Sequence, residues 1–87
     1  MHDDKYRTLK SKLEVFHDWP GPYLFKFIVP QEKQEELESI FDGHPYRTRH
    51  SRNGRYVSLT CEREMRSSED VIEVYRRVER IEGSYSL

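Results

Sequence analysis

One cysteine, Cys61, stands in a chain of 87 residues. A lone cysteine forms no intrachain disulfide, and no cysteine pair has zinc-ligand spacing, so nothing in the sequence calls for an oxidising compartment or a structural metal. No apolar run approaches the roughly 20 residues that cross a bilayer, and the opening MHDDKYRTLK has no apolar core of a leader peptide. A soluble, cytoplasmic protein with no membrane association is expected. A P-loop, a nucleotide-binding glycine pattern and a Ser-His-Asp set are missing as well, which points away from an enzyme and leaves no cofactor to expect. No acidic residue falls from Gly43 through Cys61, the stretch that carries four arginines.

What is present is polar. The net charge is −1 with 36% charged residues, so local patches say more about partners than the total does. At this length the chain is one domain with a thin core, burying roughly 60–65% of its unfolded surface. The densest apolar cluster is Tyr23 to Val29, YLFKFIV. Alternation sends Tyr23, Phe25, Phe27 and Val29 to one face and Leu24, Lys26 and Ile28 to the other, with Lys26 marking the wetter face. This stretch is expected to be the central strand of a small sheet.

Around it the periodicities assign the other elements. Tyr6, Leu9, Leu13 and Phe16 recur at helical spacing and predict a short amphipathic helix over 8–16. The prolines of Trp19-Pro20-Gly21-Pro22 end it in a rigid turn. Pro30 suits the first position of a helix over QEKQEELESIFD with Leu37, Ile40 and Phe41 inward, and Gly43 follows as a stop. Asn53-Gly54 favours a two-residue type I′ hairpin. That turn would set Arg52 opposite Arg55, and counting outward pairs His50 with Val57, Thr48 with Leu59 and Tyr46 with Cys61 on an apolar face. The other face pairs Ser51 with Tyr56, Arg49 with Ser58 and Arg47 with Thr60. Ser67-Ser68-Glu69-Asp70 reads as a capping box before a helix with Val71, Val74, Tyr75, Val78 and Ile81 inward, and Gly83 closes it. Residues 84–87 leave room for a stub of a last strand.

The order β-α-β-β-α-β predicts an α+β, ferredoxin-like two-layer sandwich with an antiparallel sheet of order 4-1-3-2 and both long helices on one face. Residues 1–21 are then an N-terminal extension with its short helix, and residues 22–87 the ferredoxin-like domain. The expected core is Phe25, Phe27, Leu37, Ile40, Phe41, Val57, Leu59, Cys61, Val71, Val74, Tyr75 and Val78.

The leading helix with its aromatic-Pro segment from Phe16 to Pro22, FKFIVP from Phe25 to Pro30, NGRYVSLT from Asn53 to Thr60 and VIEVYRRVERIEG from Val71 to Gly83 together resemble the small bacterial YbeD-like proteins of unknown function. The resemblance covers nearly the whole chain. It implies a ferredoxin-like fold similar to the ACT regulatory domains of metabolic enzymes, and so a regulatory role; it carries no catalytic residues across. ACT domains bind amino-acid effectors beside a glycine-bearing loop, whereas the loop here reads Val29-Pro30-Gln31-Glu32, which argues against an effector of that kind.

Among individual residues, alternation with Val57 and Leu59 points Cys61 inward, away from the cationic and exposed setting a reactive thiolate needs. His17, His44 and His50 lack metal-ligand spacing with one another or with Asp18 and Asp42. Glu35, Glu38, Glu73 and Glu79 fit solvated helix faces better than an acid–base pair. The concentrated feature is Arg47, Arg49, Arg52 and Arg55. Charge on an edge strand also blocks sheet-to-sheet aggregation, but like charges facing each other at Arg52 and Arg55 are unfavourable unless something else uses them. The expected binding residues are therefore Lys26, Arg47, Arg49, Arg52, Arg55 and Tyr56 on the open sheet face and hairpin tip. They would dock an acidic protein surface or an anionic metabolite in a non-catalytic regulatory or adaptor domain, with an exposed strand edge available for a homodimer. An RNA-binding module of RRM-like topology and an ACT-like small-molecule sensor are the alternatives. The first is disfavoured because Tyr56 is the only outward aromatic on the third strand.

Overall fold

A computed structural model describes residues 4–87. Its elements are α1 (Asp4–Phe16), β1 (Gly21–Pro30), a 3-10 turn (Gln31–Lys33), α2 (Gln34–Ile40), β2 (Arg47–His50), β3 (Tyr56–Met65), α3 (Ser68–Glu79) and β4 (Tyr85–Ser86). The four strands form one antiparallel sheet in the order β2-β3-β1-β4, which is 4-1-3-2 when counted from the β4 edge. The first three residues of the predicted N-terminal extension lie outside the described residues.

β1 and β3 pair along their whole length, from Gly21 opposite Met65 to Pro30 opposite Tyr56. Two ten-residue strands in full register make two continuous faces. On one of them Phe25, Phe27, Val29, Val57, Leu59 and Cys61 are buried. Leu37 and Phe41 from the α2 segment and Val71, Val74 and Val78 from α3 cover that face, which places the helices on one side. Phe25 stacks on Phe27 at 6.1 Å, and Phe41 and Tyr75 lie against both rings. Burying each such ring contributes about 1.5–3 kcal/mol. Ten of the twelve residues predicted for the core are buried, while Ile40 and Tyr75 are half-buried at its margin.

α1 belongs to the same core. It runs antiparallel to α3: Lys5 and Tyr6 reach Glu79 at one end, Lys10 pairs with Glu69 at 3.0 Å, and the Ser68 hydroxyl donates to Glu14 at the other end. Leu13 is buried, with Tyr6 and Leu9 packed beside it. Phe16 departs from the predicted stripe and is 75% exposed. The reason is geometric: α3 starts beside Glu14, so a residue half a turn further along α1 has no helix left to pack on.

The helix predicted after β1 needs correction. Pro30 does not open a helix: it has extended backbone (φ −58°, ψ 148°), ends β1, and is followed by the Gln31 N–H donating to the Arg55 carbonyl at 2.8 Å. The predicted twelve-residue helix is accordingly split into the 3-10 turn and a seven-residue α2. The helix stops at Ile40, and Phe41 (φ −104°, ψ 17°) leaves the helical path as its ring enters the core.

The hairpin turn is also different. Only Gly54 takes positive φ (+75°), so the turn is not type I′, which needs it at Asn53 too. Gly54 N–H instead donates to the Ser51 carbonyl at 3.0 Å, and Asn53 Oδ1 accepts from the Arg55 N–H and the Ser51 hydroxyl. The Asn side chain thus satisfies the loop that a second positive φ would otherwise have closed. The register survives the change: Arg47 faces Thr60, Thr48 faces Leu59, Arg49 faces Ser58 and His50 faces Val57. Arg52 and Arg55 lie in the loop rather than as a facing pair on the ladder, so the like-charge argument drawn from their opposition no longer applies.

Ser67 caps α3, accepting the Asp70 N–H at 3.1 Å. The reciprocal half of the predicted box is given up, since the Asp70 carboxylate turns to Arg66.

Candidate functional site: the open sheet face

No helix among the described residues covers the second face of the sheet. The pleat that buries Phe25 and Phe27 leaves Leu24, Lys26 and Ile28 of β1 facing outward, with Glu62, Thr60 and Ser58 of β3 opposite them. β2 adds Arg49 next to Ser58 and Arg47 next to Thr60, and β4 adds Tyr85 next to Ile28. Two rows cross the sheet as a result. One runs Arg47, Thr60, Lys26; the next runs Arg49, Ser58, Ile28, Tyr85. Adjacent strands lie about 4.8 Å apart, so each row spans roughly 10–15 Å.

Four of the predicted binding residues are brought together here: Lys26, Arg47, Arg49 and Tyr56, all exposed. Arg52 and Arg55 stand apart on the loop beyond the last ladder pair. All four residues of β2 are exposed, including Thr48 and His50, whose positions fall on the core side. Tyr46, expected to pair with Cys61 on the apolar face, is 36% exposed and precedes β2. On the helix side His50 Nδ1 is 2.7 Å from Gln31 Oε1, Gln31 donates to Gln34, and Gln34 donates to Glu38. This chain of amides ties the hairpin to the α2 segment and holds β2 in place at the edge.

Two apolar members of the face, Tyr85 and Leu87, carry no signal in the sequence. Leu24 is 56% exposed, Tyr56 41%, Tyr85 60% and Leu87 64%. Alternation had already placed Leu24 outward; Tyr85 had no such signal, because a two-residue strand shows no period. The Leu87 N–H donates to the Lys26 carbonyl at 2.8 Å, which carries Leu87 alongside the Lys26 row. The face therefore combines exposed aliphatic and aromatic side chains with three cations. Glu62 and Glu64 sit on the same face toward the β3 terminus, opposite Leu24 and Pro22. Leu24, Arg47, Thr60 and Glu62 border a shallow depression of about 340 Å³.

Groups with reaction chemistry lie elsewhere. Cys61 is buried and desolvation pushes its thiol pKa up, an effect the nearby Arg63 charge only partly offsets. Burial also raises the Tyr75 hydroxyl well above its usual range, helped by its 2.9 Å contact with the Tyr23 hydroxyl. Glu79 is held by Lys5 and Tyr6, and Lys10 draws the Glu69 carboxyl below the usual range. Among the described residues no group of three or more His, Cys, Asp and Glu side chains is placed to hold a metal ion, and no helix is long and apolar enough to cross a membrane.

A family model described as a protein of unknown function, DUF493, matches residues 14–84. The chain belongs to this family. DUF493 contains the YbeD-like small proteins, so the resemblance carried by the FKFIVP and NGRYVSLT segments is a family relationship. The DUF493 match takes in every strand position that builds the open face except those of β4 beyond Ser84. No curated protein and no solved structure matches the chain.

Proposed function

We propose that the protein is a non-catalytic, ferredoxin-like regulatory or adaptor module that docks an acidic protein surface on its open sheet face. The observation that carries this reading is the mixture on one face of Arg47, Arg49 and Lys26 with exposed Leu24, Tyr56, Tyr85 and Leu87. Protein interfaces are built in this way, with aromatic and aliphatic anchors beside arginines whose planar forks take carboxylates two at a time. Exposed apolar groups beside a charged rim are costly to leave in water and are explained by a partner that covers them. The exposed aliphatic and aromatic anchors spread over two rows of the sheet favour a macromolecular partner over the anionic metabolite also considered. Cross-linking in cell extract, followed by identification of what is captured, tests the reading. Acidic proteins should be captured, and the double change Arg47→Glu and Arg49→Glu should abolish their capture, as should raised salt. Capture that survives both would reduce these arginines to protection of an edge strand.

A second reading, an RNA-binding module, is favoured by one feature only: Tyr85 adds a second outward aromatic to Tyr56. Against it, Asn53-Gly54-Arg55-Tyr56-Val57 lacks the Lys/Arg-Gly-aromatic-Gly/Ala-Phe pattern of such modules, and β1 presents no outward aromatic at Leu24, Lys26 or Ile28. RNA recovered in the cross-linking experiment would support this reading over the adaptor.

A further inference from the structure

On the helix side of the sheet, β3 carries a charge where its pattern calls for an apolar residue. Val57, Leu59, Cys61 and Met65 of this face are buried, and Arg63 stands in the same row. Its guanidinium lies 6.0 Å from the ring centres of both Phe25 and Phe41, and its Nε donates to the Met65 sulfur at 3.3 Å. Thioether sulfur is a weak acceptor, so the one hydrogen bond the group makes is a poor one. Its four terminal N–H donors meet no acceptor among the described residues. Partial burial weakens the hydration of this cation, and the two rings and the sulfur offset that loss only in part.

The guanidinium opens on a surface depression of about 300 Å³ between β3, α3 and the segment after α2. Arg77 and His44 line the same depression, and neither side chain has a hydrogen-bond or ion-pair partner among the described residues. Three carboxylates line the site as well: Asp70 takes Arg66 at 3.4 Å, Glu73 lies 4.0 Å from Arg76, and Glu64 borders it beside Arg63. Met65 and Val74, both buried, supply apolar wall. Two rings and a sulfur fix the Arg63 fork in position while its donors stay unspent, which is the preorganisation an oxyanion site needs.

We propose that this site binds a small organic oxyanion, with the carboxylate or phosphate on the Arg63 fork, Arg77 adding positive charge, His44 offering a ring N–H, and the carbon skeleton against Met65 and Val74. The volume is at the lower end of the range for small-molecule sites and suits a metabolite rather than a polymer. This site is separate from the open face, and each stands or falls alone.

The test is an NMR titration of the intact protein with succinate and, separately, inorganic phosphate. Saturable shifts at the Arg63 Nε, the Met65 methyl and Val74 are expected for at least one of them, with Kd at or below about 1 mM. Arg63→Gln should weaken binding at least about tenfold, because it removes the fork. The exposed Arg77→Gln should weaken it as well without disturbing the core, so the result does not depend on how Arg63→Gln folds. Arg47→Glu with Arg49→Glu, on the other face, should leave Kd unchanged. Preference for succinate assigns the oxyanion as a carboxylate and preference for phosphate as a phosphoryl group. The proposal is overturned if neither anion gives saturable shifts, or if the shifts persist undiminished in Arg77→Gln and in folded Arg63→Gln.

Discussion

The two faces of β3 differ residue by residue. Val57, Leu59 and Cys61 are each about 1% exposed, whereas Tyr56, Ser58 and Thr60 between them look outward, flanked by Arg47 and Arg49. The same backbone and the same hydrogen bonds serve both sets. What separates them is that α2 and α3 cover one face and no described helix covers the other. Side chains on the covered face are fixed by packing, so their identity reports stability. Those on the open face are not fixed by helix packing, and in the proposed reading they answer to a partner.

The sharpest contrast is in accessibility. Cys61 should react with a thiol reagent at least about a thousandfold more slowly in the native protein than in denaturant, since labelling must wait for opening of the core. A cysteine at the exposed edge position, Arg49→Cys in a Cys61→Ser background, should react near the unfolded rate. Equal rates for the two would erase the distinction between the faces.

Stability should divide in the same way. Leu59→Ala should cost about 2–5 kcal/mol in urea unfolding as a core truncation. Gly83→Ala should cost about 1–2 kcal/mol. Gly83 has φ +82°, and a Cβ there would come within 2.8 Å of the Pro30 ring, so this change loosens the corner where β4 is brought onto β1. At the small end, Arg47→Glu with Arg49→Glu should change stability by no more than about 0.5 kcal/mol in either direction. A large loss from the arginine pair would mean that the open face does structural work.

Most of the covered face was legible in the sequence, because burial enforces a period. Alternation places Phe25 and Phe27, helical spacing places Phe41, and Asn53-Gly54 gives the hairpin register although the turn is not the type that dipeptide favours. A shared register is compatible with more than one loop geometry, and the Asn53 side-chain bonds that chose between them leave no mark in a two-residue motif. The break between the 3-10 turn and α2 was invisible, since Glu32 to Glu36 suits either helix. On the open face Lys26, Arg47, Arg49 and Tyr56 were readable from register alone. Tyr85 and Leu87 were not, because tertiary pairing rather than pattern puts them there. Arg63 is a charge in an apolar row, which a pattern shows; that no carboxylate among the described residues meets it is a matter of tertiary placement.

The account rests on partner binding being confined to one face, and photo-cross-linking from single positions tests that directly. A photoreactive residue at Ser58, in the middle of the open face, is compared with one at Glu35, exposed on α2 on the opposite side. Capture of an acidic protein from Ser58, absent from Glu35 and lost when Arg47→Glu and Arg49→Glu are added, is the predicted result. Equal capture from both positions, or capture from Ser58 that ignores the charge reversal, would contradict it.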